Sequence, residues 1–139
     1  MTPALIWDCS VAVAMAFEDE RDEYSRRVFQ AVRVGGAQVP ALWPMEVVNI
    51  LRVSERRGRI DPLDSLEFLT RLAGLPIQVE GSASAVGGMA TLYKTAEKYS
   101  LTAYDAAYLR LAQKSGLPLA AKDDDLNSAA LRAGIKLFV

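Results

Sequence analysis

Four carboxylates in this chain stand where a charged side chain needs a physical reason. Asp8 ends the apolar run at residues 4–7, and Asp123 follows the apolar run at residues 117–121. Glu46 lies in the first turn of a helical stretch that opens near Pro44, and Asp105 comes one turn after Thr102. A buried carboxylate is costly unless it is paired or bound to a cation, and several side by side raise one another's pKa. A hard divalent cation with oxygen ligands, Mg2+ or Mn2+, removes that repulsion. Such an ion orients a phosphate, lowers the pKa of a bound water and stabilises in-line displacement at phosphorus. The residues therefore point to metal-dependent phosphodiester hydrolysis.

Composition narrows the field in the same direction. The chain of 139 residues has no histidine, which removes the Ser-His-Asp triad, the Cys-His pair and the imidazole zinc site. Its single cysteine, Cys9, excludes an intrachain disulfide and fits a reducing compartment. No apolar run is long enough to cross a bilayer, and the first ten residues, MTPALIWDCS, lack the basic and apolar regions of a signal peptide. A cytoplasmic protein without membrane contact is expected. A hydrophobic fraction of 51% in a chain this long can build a core without staples, so residues 1–139 read as one domain.

The elements that must position the acids alternate along the chain. Strands are expected at residues 4–7, 37–42, 76–80, 117–121 and 135–139. Helices are expected at 11–17, 18–34, 44–57, 62–74, 89–99, 102–114 and 126–133. Asp61-Pro62 and Thr102 mark helix starts, while Gly58 and Gly116 mark ends. The alternation predicts an α/β fold, a three-layer sandwich with a mostly parallel central sheet of about five strands flanked by helices. Ligands of such sheets bind beyond the carboxyl ends of the strands. Asp8 and Asp123 follow strands directly, and Glu46 starts the helix after the second strand. The short link at residues 115–116 makes Asp105's helix antiparallel to the fourth strand, so its start reaches the same edge.

Each acid has a local alternative. Asp105 could complete a capping box with Thr102, and Glu46 could answer the helix dipole. Any of Asp123, Asp124 and Asp125 could cap the last helix. Glu46 and Asn49 gain weight because Met45, Val47, Val48, Ile50, Leu51 and Val53 surround nearly the whole helix, which predicts a polar pair on an otherwise buried helix.

In order, the chain reads IWDCSVAVAMAFEDE, PALWPMEVVNILR, LTAYDAAYLRLAQKSGLPLAAKDDDL and AGIKLF. In this order and spacing it resembles the PIN-domain ribonucleases, specifically the VapC-type toxins of bacterial toxin–antitoxin pairs. The resemblance implies that Asp8, Glu46, Asp105 and Asp123 hold one or two Mg2+ or Mn2+ ions and activate water to cut RNA. It places Ser10 as the small hydroxyl residue beside the first acid and Asn49 as the polar residue one turn beyond the second. It also implies a homodimer and a cognate VapB-type antitoxin that enters the acidic site of a hetero-oligomer. Where the family usually has Thr or Ser two residues before the fourth acid, this chain has Ala121. That departure loosens the register between Asp123 and Asp125. It also leaves an alternative function, a catalytically weakened PIN fold acting as an RNA-binding or scaffold module.

The net charge of -1 argues at first sight against a nucleic-acid partner. Residues 24–60 nevertheless carry seven arginines, 26, 27, 33, 52, 56, 57 and 59, against Glu46 and Glu55 alone. As a group these could hold phosphates, although a solvated helix face explains any one of them. Tyr24, Tyr104 and Tyr108 could stack on bases or belong to the core. A phosphoacceptor signalling domain would want paired acids after the first strand and an Asp after the third. The chain offers Asp8-Cys9-Ser10 and Glu80-Gly81 instead. A haloacid-type phosphatase would need a second Asp where Ser10 stands.

Overall fold

A computed structural model describes residues 2–81 and 85–139. Its centre is β1 (Leu5–Trp7), whose three side chains are all fully buried. Burial on both faces is what a central parallel strand requires. β2 (Ala37–Pro40) and β4 (Leu119–Ala120) pair with it on either side, and β3 (Ile77–Glu80) pairs with β2 at the edge. Every strand pair is parallel, in the order β3-β2-β1-β4.

The helices supply the crossovers. α1 (Cys9–Val13), a 3-10 turn at Ala14–Ala16 and α2 (Glu23–Gly35) join β1 to β2. α3 (Trp43–Arg56) and α4 (Pro62–Ala73) join β2 to β3, while α5 (Met89–Tyr99) and α6 (Ala103–Ser115) lead back to β4. α7 (Asp124–Arg132) follows. The path steps outward from β1 to β3 and then returns to the other side of β1. With right-handed crossovers, the first four helices cover one face and α5 and α6 the other. The reversal falls between β1 and β4, which is the topological switch point where open α/β sheets bind ligands.

Local chemistry sets the boundaries. Asp22, Asp61, Thr102 and Asp123 each cap a helix by accepting a hydrogen bond from a backbone N–H of the first turn. Gly36 has φ +85 between α2 and β2, and a β-carbon there would meet the Pro76 carbonyl at 2.8 Å. Only glycine lets Ala37 pair so closely with the third strand's lead-in, where Ala37 N–H donates to the Pro76 carbonyl at 3.0 Å. Among the described residues, no helix is long and apolar enough to cross a membrane.

Several expectations change. The predicted strand at residues 135–139 is reduced to a single bridge between Leu119 and Leu137, so the described residues form four strands rather than about five. β4 offers only two residues for pairing, and the terminal segment bonds to one of them, Leu119, on both sides. The acidic run at 18–22 stays outside α2, because Asp22 holds extended backbone and caps the helix through the Ser25 N–H at 2.8 Å. Finally, α3 is not buried all round. Met45 is 78% exposed and Val48 46%, while Trp43, Val47 and Leu51 face the core.

Candidate active site

Asp8 leaves β1 at its carboxyl end and enters α1 with φ -65 and ψ 138. That places its carboxylate at the switch point, where it is 8% exposed and accepts a hydrogen bond from the Ser10 hydroxyl. Burial pushes its pKa above the usual carboxylate value; the Ser10 bond works against this, and the charge of Asp123 adds to it.

Glu46 projects from the first turn of α3 and is half-buried. Its Oε1 accepts from the Tyr108 hydroxyl at 2.6 Å, and that hydroxyl in turn accepts from the Cys9 N–H at 3.2 Å. Three elements far apart in sequence are thus joined by one buried phenol. Burial raises the pKa of Glu46, the Tyr108 bond lowers it, and Asp8 and Asp105 raise it further. The same desolvation raises Tyr108 well above its ordinary value, so it remains a neutral donor to Glu46.

Asp105 stands in the first turn of α6, where its backbone N–H donates to the Thr102 hydroxyl at 3.1 Å. The capping role proposed for this helix start belongs to Thr102, which leaves the Asp105 carboxylate to the cluster. Its pKa is pushed up to about 6, first by burial and then by Asp123, Asp8 and Asp125 in turn. Asp123 caps α7 by accepting from the Leu126 N–H at 3.0 Å. It raises both Asp8 and Asp105, and Asp125 adds a smaller effect on Asp105. Asn127 steadies the same turn, its Nδ2 donating to the carbonyl of buried Ala121 at 2.9 Å.

The four acids therefore sense one another electrostatically, and the structure brings them to one edge. Among the described residues, none of the four forms a salt bridge. Lys122, the neighbour of Asp123, turns instead to Asp22 at 2.8 Å. No three Asp, Glu or Cys side chains among the described residues are gathered tightly enough to hold an ion as they stand. The donor set itself, all oxygen and net negative, suits a hard divalent cation.

Ser10 and Asn49 are both exposed and line one cavity beside the acids. The aromatic residues divide. Tyr108 is buried and serves Glu46 rather than a base, and the Tyr24 hydroxyl donates to the Phe138 carbonyl at 2.9 Å. Tyr104 is exposed. The positioning role of Tyr108 escapes sequence reading because its partner is 62 residues away. Its only signal is a phenol facing inward on an alanine-rich helix.

The chain matches the PIN domain family over residues 5–131, a span that contains all four acids. Its structure is similar to that of PAE2754 from Pyrobaculum aerophilum, with a TM-score of 0.71 over 93% of this chain and 86% of that one. The two sequences are 22% identical, so this likeness speaks for the fold. No curated protein is similar enough to match. With the family match spanning nearly the whole sandwich and its acidic edge, the chain belongs to the PIN domain family, whose members are generally nucleases.

Proposed function

We propose that this protein is a Mg2+- or Mn2+-dependent endoribonuclease and the toxin of a VapBC-type toxin–antitoxin module. The observation that carries the reading is the convergence of Asp8, Glu46, Asp105 and Asp123, three of them with raised pKa and none, among the described residues, paired with a cation. Asp8, Asp105 and Asp123 would hold the ion. When bound, it would supply charge stabilisation at phosphorus and a more acidic water. Glu46 has Oε1 fixed by Tyr108, which leaves Oε2 to orient the attacking water and accept its proton. Ser10 holds the Asp8 carboxylate in place, and Asn49 lies with Ser10 along the path of the substrate. An unpaired acidic edge also suits the basic segment of a VapB-type antitoxin, in a hetero-oligomer built on a toxin homodimer.

The test is cleavage of RNA by the purified protein in Mn2+, followed by sequencing of the new RNA ends after induction in cells. EDTA should stop cleavage, and Asp8→Asn should reduce it by more than about 100-fold while leaving the fold intact. Equal cleavage by wild type and Asp8→Asn would overturn the site.

A further inference from the structure

A cavity of about 360 Å3, within the size range of small-ligand clefts, about 300–1,000 Å3, opens beside Ser10, whose hydroxyl donates to Asp8. Ser10 and Asn49 stand at its acidic end, and Arg57 and Arg59 also line it. Ile50 and Val53 contribute an apolar floor from α3. Glu46, Asn49, Val53 and Arg57 recur at three- and four-residue steps, so one helical stripe runs from the acidic site into the basic end. At 1.5 Å per residue the stripe is roughly 16 Å long, the reach of a few nucleotides.

The arginines at the far end differ in state. Among the described residues, Arg57 forms no ion pair or side-chain hydrogen bond. Arg59 is held by two carboxylates, Asp19 at 3.2 Å and Glu20 at 2.9 Å, and its guanidinium lies 4.4 Å from the centre of the Phe17 ring. Two acids on one guanidinium resemble the way a phosphate would be gripped. Glu20 itself lines the cavity, so an entering phosphate would meet a negative charge already in its place. The other five arginines of residues 24–60 do not line the cavity, and three of them are engaged elsewhere: Arg27 pairs with Glu23, Arg52 with Glu55, and Arg33 bonds to Gln30.

We propose that this cleft is the subsite for the single-stranded RNA leading away from the scissile phosphate, with Arg57 as its phosphate contact and Asp19 and Glu20 as built-in competitors for Arg59. The assignment takes the ribonuclease reading as its premise. The apolar floor receives a sugar or base without demanding its identity, while Ser10 and Asn49 guide the strand to the acids. RNA binding must displace the Asp19–Glu20 pair from Arg59, so affinity is set partly by the protein's own loop.

The experiment measures binding of a labelled single-stranded oligoribonucleotide by anisotropy in EDTA, beside cleavage in Mn2+. Arg57→Ala should weaken binding roughly 5- to 10-fold and flatten the dependence of log affinity on log salt by about 0.7. The Asp19→Asn, Glu20→Gln double variant should tighten binding about two- to fivefold at low salt. Arg71→Ala, on the exposed end of α4, should change neither. Wild-type affinity and salt slope in Arg57→Ala would overturn the subsite while cleavage by wild type still upheld the nuclease. Arg57-dependent binding without any wild-type cleavage would sustain the cleft and sink the nuclease.

Discussion

Two groups of acids lie next to each other in this molecule and are treated in opposite ways. At the carboxyl edge of the sheet, Asp8, Glu46 and Asp105 are drawn into partial burial with raised pKa; Asp8 and Glu46 accept from hydroxyl groups, and among the described residues none of the three pairs with a cation. On the loop at residues 17–22, Asp19, Glu20 and Asp22 stay toward solvent and each meets a cation. The boundary runs between Lys122 and Asp123: the lysine serves the loop, and the aspartate beside it joins the unpaired cluster. Lys122 holds Asp22 well below the usual carboxylate range, with the Ser25 amide helping. The chain thus has basic residues within reach and does not spend them on the cluster. That contrast is consistent with the metal-dependent reading proposed above.

If that contrast is correct, the largest effect should come from an added cation. Mn2+ at 100 times its Kd should stabilise wild type by about 2.7 kcal/mol, read as a rise in Tm, and should not stabilise Asp105→Asn. An equal rise in the variant would remove the cluster from the metal site. Next comes the internal support of the acids. Tyr108→Phe should cost about 1–3 kcal/mol, since it leaves the Cys9 N–H without its acceptor and Glu46 without its donor. Because the lost bond lowers the pKa of Glu46, the acid limb of the cleavage profile should move to higher pH; an unmoved limb would show that Glu46 does not handle the proton.

The two groups should also separate by pH. Asp105 is raised from 3.8 to about 6, so across that window the folded state keeps a proton that the unfolded chain has released. Stability without metal should therefore fall as pH rises through the window, and Asp105→Asn should make Tm flatter there. Asp22 has the opposite sign: its contribution is complete above 3.8 and is lost only as pH falls below it. A Tm that climbed between pH 4 and pH 6 in both proteins would break the comparison. The smallest effect belongs to the clasp itself, where Lys122→Ala should cost no more than about 1 kcal/mol in a thermal melt.

Most of what places the acids could be read from the chain. Asp61-Pro62 and Thr102 announced their helices because capping is local chemistry, and α5 falls on the expected residues. The carboxyl-edge placement of Asp8 and Asp123 followed from topology alone. What failed depended on partners distant in sequence. The expected strand at 117–121 shrank to Leu119–Ala120, since its length is set by what the three-residue β1 can pair with. The argument from a buried α3 does not hold: Met45 and Val48 are exposed, and what engages the half-buried Glu46 carboxylate is the Tyr108 hydroxyl from α6. The seven arginines looked like one patch, yet three of them, Arg27, Arg33 and Arg52, bond within their own helices, and Arg57 and Arg59 are the two that line the cavity.

The all-parallel sheet has a consequence for when activity can arise. No hairpin of neighbouring strands can form any part of it, and the pairing beside the acids joins Ile6 to Leu119. Contacts of such range close slowly, after the loops between them have been organised. A chain emerging from the ribosome exposes Asp8 and Glu46 long before Asp123 is made, and domains generally fold as units. Chemistry that needs both ends of the sheet is therefore silent in every partly made or partly folded chain, and it switches on with the last strand to dock.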